Sequence, residues 1–169
     1  MDADDLKNLQ APLKAQYNDD PATALVTLRA EGRLDGDALA CSVETGKALV
    51  EAGLHPATGG DGTQACSGDM LLQALVACAG VTLGAVATAI GVDVRAGTVK
   101  AEGDLDFRGT LGVSKEAPVG FRDIRLHFDP ETDADEEKLA ILLKLTERYC
   151  VVYQTLRASP PMTVTHRAG

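Results

Sequence analysis

The sequence of 169 residues is 45% hydrophobic and 24% charged, which is ordinary for a folded globular protein and excludes disorder, a collagen-like chain and a disulfide scaffold. Its 16 lysine and arginine residues stand against 25 aspartate and glutamate residues, giving a net charge of −9 at pH 7. Because nucleic acids and anionic membrane surfaces attract basic proteins, this charge argues against both as partners. The length predicts a single domain over residues 1–169.

The N-terminus lacks the positive start and apolar run of a secretory signal, since residues 1–5 read Met-Asp-Ala-Asp-Asp. We therefore expect a cytoplasmic protein in which thiols stay reduced. Its four cysteines are then more typical of catalysis, metal binding or burial than of structural disulfides. No closely spaced pair such as C-x-x-C is present, so we expect neither a metal nor a cofactor.

Residues 1–20 are predicted to form an N-terminal helical extension. Leu6, Leu9 and Leu13 have helical spacing, although Pro12 interrupts the pattern. The segment is short and carries no chemistry of its own.

A β-hairpin is predicted after this extension. Alternating apolar residues indicate a strand over 23–30 and a second strand over 37–43. The glycines within 32–36 predict the turn between them. The segment 46–62 is ambiguous and is predicted to end in a glycine-rich loop.

The segment 69–90 is almost entirely Ala, Leu, Val, Met and Ile. It predicts a helix that is apolar on every face, which belongs either in a protein core or across a membrane. We favour the core because the segment is rich in alanine and has no flanking basic cluster or aromatic belt. Since a short chain cannot cover such a helix alone, we expect a second subunit to pack against its small residues, Ala77, Gly80, Gly84 and Ala87.

Two strands are predicted next, over 92–108 and 119–129, with a loop over 109–118. In the second strand, apolar residues alternate with charged ones. The apolar face consists of Ile124, Leu126 and Phe128. Strands and helices in this order indicate the α+β class.

A second helix is predicted to begin after Asp133, with Glu136 completing a capping box. Its inner stripe consists of Leu139, Leu142, Leu143 and Thr146. If the helix continues, Cys150 falls on the same stripe. Pro160 and Pro161 end the helical region, and residues 162–166 are predicted to form a short closing strand.

Cys78, in the middle of the apolar helix, and Cys150 each have two interpretations. Each is a small buried hydrophobe, as free cysteines usually are, or a member of a redox pair. A redox pair needs one thiol to ionise, and Cys78 is too far from the start of its own helix to use the dipole of that helix. The sequence therefore predicts that an arginine from the strand or turn region supplies the stabilising charge.

Two separated motifs resemble those of the OsmC/Ohr family. The stretch 67–78, SGDMLLQALVAC, resembles the central-helix motif, and 147–152, ERYCVV, resembles the segment with the second cysteine. The order of elements is similar over residues 22–166. The resemblance implies an α+β, OsmC-like fold, built as an intertwined homodimer with long buried central helices covered by antiparallel sheets.

The resemblance also implies a thiol-dependent peroxidase that reduces organic hydroperoxides in oxidative-stress defence. Cys78 would attack the peroxide and Cys150 would close a disulfide with it. A dithiol, in the family often a lipoyl group on a carrier protein, would restore both thiols. Arg33 matches the family arginine that stabilises the thiolate and orients the peroxide, and Arg29 is a rival for this role.

The sequence departs from the family where the central helix begins. The glutamate that holds the arginine in the family corresponds to Gly68 here. Asp69 either replaces this carboxylate in part or is simply an acidic residue favoured at a helix start. Both cysteines favour an enzyme acting on an apolar hydroperoxide, whereas the absent glutamate favours the alternative, an OsmC-fold small-molecule binding protein with redox-inert cysteines.

Overall fold

A computed structural model of the chain describes residues 2–5, 8, 10, 11, 19, 32–35, 40–44, 49–112 and 114–167. The described strands are β1 (Gly32–Asp35), β2 (Ala40–Glu44), β3 (Leu49–Gly53), β4 (Ala65–Cys66), β5 (Ala96–Leu105) and β6 (Phe121–Glu131). The helices are α1 (Ser67–Ile90), the single turn α2 (Phe107–Thr110), α3 (Glu136–Tyr149) and α4 (Val151–Arg157). Helices and strands are both present, so the predicted α+β class is confirmed.

The strands form two sheets. One has the order β1-β2-β3-β4, in which β3 and β4 pair in parallel and the other neighbours pair antiparallel. The second is the antiparallel pair β5-β6. All ladders join strands that follow each other in the chain.

A hairpin is present in the predicted region, but the turn predicted over 32–36 is wrong. Gly32–Asp35 is strand β1, paired with β2 so that Gly32 lies opposite Val43. Glycine permits a turn but does not require one, and the ladder outweighs its weak strand propensity here. The connection therefore falls in 36–39, which lies outside the described residues, as does the strand predicted over 23–30.

The N-terminal helical extension stays a prediction. Residues 3–5 are helical. Leu6, Leu9 and Leu13, on which its apolar spacing rests, lie outside the described residues.

Helix α1 confirms the apolar helix predicted over 69–90, with two more residues at its start. It ends at Gly91, whose φ of 70° is the left-handed conformation in which a helix commonly stops. Its buried residues form one stripe: Leu75, Ala79, Leu83, Val86 and Ala87. This stripe packs against the β5-β6 sheet and against α3 and α4.

The described residues leave the rest of α1 uncovered. By length and composition alone, α1 is long and apolar enough to cross a membrane: an 18-residue stretch of it has a mean hydropathy of 2.0 and is 22% buried. Core helices of soluble proteins share this length and composition. Val81 is 76% exposed, and no atom lies within 4 Å of a Cβ built at Gly84. The described residues of one chain therefore cover one side of this helix.

Strand β6 confirms the predicted alternation, whereas β5 is shorter than the strand predicted over 92–108, because residues 92–95 form no strand and Phe107 begins α2. Ile124, Leu126 and Phe128 are turned inward, together with residues of β5, and contact the α1 side of the core. The outward face is charged. On it Arg125 donates hydrogen bonds to Asp104 at 2.6 and 2.9 Å and to Asp123 at 2.8 Å.

The predicted capping residue of α3 is wrong. Asp135, not Asp133, is the cap, and its carboxylate accepts a hydrogen bond from the Lys138 N–H at 2.8 Å. The Asp133 carboxylate is instead paired with Arg95. The helix consequently begins at Glu136 itself rather than two residues earlier.

The predicted closing strand over 162–166 is also wrong. Residues 160–167 are all described, and no strand is found among them. Met162 and Val164 are 86% and 91% exposed. An extended segment becomes a strand only when it reaches the edge of a sheet, and these residues reach no edge within the described part of the chain.

Candidate functional site

Cys78 lies halfway along α1, on the side that faces the core. Its neighbours on this side, Leu75 and Ala79, are 1% and 0% exposed. Cys78 itself is half-buried and is a free thiol. The Cys78 thiol thus lies at the border between the core and the surface.

Cys150 lies at the junction of α3 and α4 and is 1% exposed. The inward position predicted for it is confirmed, but the helix does not continue through it. Its backbone, with φ −71° and ψ 108°, is extended, so α3 ends at Tyr149 and α4 begins at Val151. The break places Cys150 in the same buried cluster as Leu75 and Ala79, with Cys78 packed against it.

The two thiols interact directly, and their environments separate their pKa values. Partial burial opposes ionisation of Cys78, but four hydrogen-bond donors outweigh it and lower the pKa of this thiol. In decreasing order of effect, these donors are the Val152 N–H, the Cys150 thiol, the Thr82 hydroxyl and the Val151 N–H. Cys78 is therefore the thiol that ionises first.

Burial raises the pKa of the Cys150 thiol, and the hydrogen bond that it donates to Cys78 raises it further. The charge on Cys78 acts in the same direction. Cys150 is thus the harder of the two thiols to ionise, an arrangement that suits one attacking thiol and one reserve thiol.

Sequence reasoning did not foresee these donors, which are backbone N–H groups at the start of α4 and two side chains. The arginine that it expected stays a prediction, because the side chains of Arg33 and Arg29 are not among those described. Thr82 could have been found from the sequence, because it lies four residues after Cys78 on the same helix face. The N–H groups could not, since a backbone donor has no residue signature.

The other predicted site residues do not lie at the thiols or have no described side chain. Arg33 lies in β1 opposite Ser42, and its side chain is not among those described, while Arg29 is outside the described residues. Asp69 is exposed in the first turn of α1. At about 1.5 Å per residue, it lies about 13 Å along the helix axis from Cys78.

Cys66 is the third described thiol, and it lies away from the pair. It borders a separate cavity of about 130 Å³ with His55, Asp69 and Phe107. The described residues include no group of three or more histidine, cysteine, aspartate or glutamate side chains that could hold a metal ion.

A larger cavity of about 720 Å³ opens beside the thiol cluster. It lies between β6 and the helices α3 and α4. Its apolar wall includes Leu75, Ile124, Leu126 and Leu156, which also belong to the core cluster that contains Cys150. Charged side chains, among them Arg122 and Arg157, border it. Neither thiol lines the cavity, so an apolar ligand of moderate size has room against residues that the cavity shares with the thiol cluster.

Taken together, the two sheets, the long apolar helix and the paired thiols define an α+β protein with a dithiol site. The sequence model of the family described as OsmC-like protein matches residues 60–165, which is more than half of the chain and includes both thiols. The chain belongs to the OsmC-like protein family. No curated protein matches its sequence.

Several solved structures have a similar fold. An OsmC-like protein from Mycoplasma pneumoniae has 16% sequence identity and a TM-score of 0.67, over 79% of this chain and 89% of that chain. An organic hydroperoxide resistance protein from Elizabethkingia anophelis has 16% identity and a TM-score of 0.64, over 80% and 91%. An organic hydroperoxide resistance protein OsmC from Legionella pneumophila has 16% identity and a TM-score of 0.62, over 79% and 91%. At these identities the likeness establishes the OsmC-like fold, as the sequence predicted.

Proposed function

We propose that the protein is a thiol-dependent peroxidase that reduces organic hydroperoxides, with Cys78 as the attacking thiol and Cys150 as the resolving thiol. The observation that carries this proposal is the thiol pair itself. The two side chains interact directly, and the pKa is lowered for the partly exposed thiol and raised for the buried one. Further support comes from the relatives of similar fold that are organic hydroperoxide resistance proteins.

The proposed reaction balances in two steps. The Cys78 thiolate attacks the terminal peroxide oxygen, so an S–O bond forms while the O–O bond breaks, and the alkoxide leaves as an alcohol after taking a proton. Cys78 is thereby oxidised to a sulfenic acid. Cys150 then attacks the Cys78 sulfur, forming a disulfide and releasing water. An external dithiol, such as a lipoyl group on a carrier protein in the cytoplasm, reduces the disulfide by exchange.

The cavity of about 720 Å³ supports an organic substrate over hydrogen peroxide. Its apolar wall shares residues with the thiol cluster and can remove a hydrocarbon group from water. Hydrogen peroxide has no such group. In this proposal Arg33 orients the peroxide, as the family resemblance implies, and Asp69 replaces part of the missing helix-start carboxylate.

We also propose that two copies of the chain form a homodimer through α1. Leu71, Val81 and Ile90 on this helix are 38%, 76% and 40% exposed, and Gly84 leaves space for a close neighbour. A soluble chain is expected to bury such a surface against a second copy. Light scattering of the reduced protein should give twice the chain mass of 17.6 kDa. A chain that stays monomeric at high protein concentration would contradict this part of the proposal.

Disulfide mapping tests the peroxidase proposal. The fully reduced protein is treated with one equivalent of cumene hydroperoxide, alkylated, and analysed by mass spectrometry. We expect a Cys78–Cys150 disulfide in the wild-type protein and in Cys66→Ser, and no such bridge in Cys78→Ser. If both thiols stay free after exposure to the hydroperoxide, the peroxidase proposal fails and ligand binding in the same cavity becomes the leading function.

A further inference from the structure

The helix break at Cys150 frees two backbone N–H groups. In an uninterrupted α-helix the Val151 N–H would donate to the Glu147 carbonyl, and the Val152 N–H to the Arg148 carbonyl. Here, within the described part of the chain, neither N–H has a backbone carbonyl partner. Val152 and Cys78 pack against the same cluster around Cys150, and the two N–H groups lower the pKa of the Cys78 thiol. The break therefore converts two helical donors into donors for the reactive thiol.

The break leaves the Glu147 carbonyl without its helical N–H partner, and a side chain donates a hydrogen bond to it instead. Gln154 Nε2 donates to the Glu147 carbonyl oxygen at 2.8 Å. The Gln154 backbone N–H donates to the Cys150 carbonyl at 3.0 Å, so this residue is bonded to both sides of the break. Tyr153 adds a longer bond from its hydroxyl to the Glu147 carboxylate at 3.4 Å.

We propose that Gln154 is a positioning residue, which holds the break open by occupying the Glu147 carbonyl in place of the Val151 N–H. With this carbonyl satisfied, the first turn of α4 keeps its N–H groups directed at Cys78. Without the Gln154 amide, the Glu147 carbonyl lacks a hydrogen-bond donor. It then favours the helical hydrogen bond from the Val151 N–H, which closes the helix across Cys150. The inference rests on the proposed function in one respect, since the catalytic role of the Cys78 thiolate comes from that proposal.

The other groups near Cys78 leave this effect measurable. The hydrophobic residues that β5 and β6 pack against the thiol cluster are Val99, Ala101, Ile124, Leu126 and Phe128. Charged and titratable side chains of β6, α3 and α4 border the neighbouring cavity: Arg122, Asp123, His127, Glu147, Tyr153 and Arg157. Substitution of Gln154 leaves all of these groups in place, so a change in Cys78 ionisation reports on its hydrogen-bond donors.

The test is the pH dependence of Cys78 alkylation in the reduced, full-length protein, measured by iodoacetamide labelling and resolved by site with mass spectrometry. Gln154→Met keeps the length of the side chain but removes the donor. We expect the midpoint for Cys78 to rise by about half a unit to one unit, the size of one lost hydrogen bond, because the thiolate loses stabilisation. Labelling at neutral pH becomes slower accordingly.

Thr155→Val is the matched control. Thr155 lies on the same helix and bonds the Val151 carbonyl at 2.8 Å, so its loss should destabilise α4 slightly without moving the Cys78 midpoint. Gln154→Asn is a second variant that stays polar but is too short to reach Glu147, and it should shift the midpoint as Gln154→Met does. Circular dichroism verifies that each variant is folded.

An unchanged midpoint in folded Gln154→Met or Gln154→Asn overturns the inference. Labelling requires no peroxide, so this outcome is separate from the fate of the peroxidase proposal. A protein that shows the shift but does not consume hydroperoxide keeps the role of Gln154 and loses the proposed reaction. A protein that consumes hydroperoxide without the shift loses only the role of Gln154.

Discussion

Cys78→Ser is expected to abolish turnover of cumene hydroperoxide with a dithiol reductant, with a loss on the order of 10⁴-fold or more, as for removal of an attacking nucleophile. The serine hydroxyl fits the same space, but it does not ionise near neutral pH. The donors that stabilise the Cys78 thiolate therefore have no anion to bind. Steady-state consumption of the hydroperoxide, with dihydrolipoamide as the reductant, measures the effect.

Cys150→Ser distinguishes the two thiols. This variant retains the attacking thiol, so without an external dithiol it should consume about one equivalent of hydroperoxide and then stop at a sulfenic acid, which dimedone traps on Cys78. Cys66→Ser is the control, because Cys66 lies in a separate cavity, and it should turn over at the wild-type rate. Undiminished turnover in Cys78→Ser would contradict the assignment of the attacking thiol.

Leu142→Ala is expected to lower the free energy of unfolding by about 2–5 kcal/mol, the range for removing a large buried aliphatic side chain. Leu142 is 0% exposed on α3 and packs against Leu83, Val86 and Ala87 of α1. Alanine leaves a cavity between the two helices that carry the thiols. Urea unfolding at fixed protein concentration measures the loss from the shift in midpoint.

Ile141→Ala is the matched control, since Ile141 precedes Leu142 on the same helix and is 46% exposed. Its replacement should cost less than about 1 kcal/mol, as is usual for a surface position. Equal losses in the two variants would mean that α3 does not pack on α1 through Leu142.

The elements that follow from periodicity could be predicted from the sequence. Helix α1 could be predicted because a long alanine-rich apolar segment is typical of a buried helix. Strand β6 could be predicted because its apolar and charged residues alternate. The errors occur where local signals compete. Gly32–Asp35 has the glycines of a turn but the pairing of a strand, and Asp133 and Asp135 offer similar capping oxygens.

The candidate site could be predicted only in part. Periodicity placed Cys78 and Cys150 on inward faces, and the family resemblance paired them. The break at Cys150 could not be predicted, because neither glycine nor proline marks it and Thr146 to Gln154 read as a continuous helix. The roles of the Val151 and Val152 N–H groups and of Gln154 all depend on that break.

Each described strand pairs with a neighbour in the chain, and this has a consequence for folding order. Ladders of low sequence separation form early, because little loop entropy is lost in closing them. Bringing α3 and α4 onto α1 joins segments far apart in the chain, and it brings Cys78 to Cys150. We therefore expect the thiol pair to be assembled late, in the most non-local step. Reactivity of Cys78 towards hydroperoxide should return during refolding only as the native tertiary structure is completed.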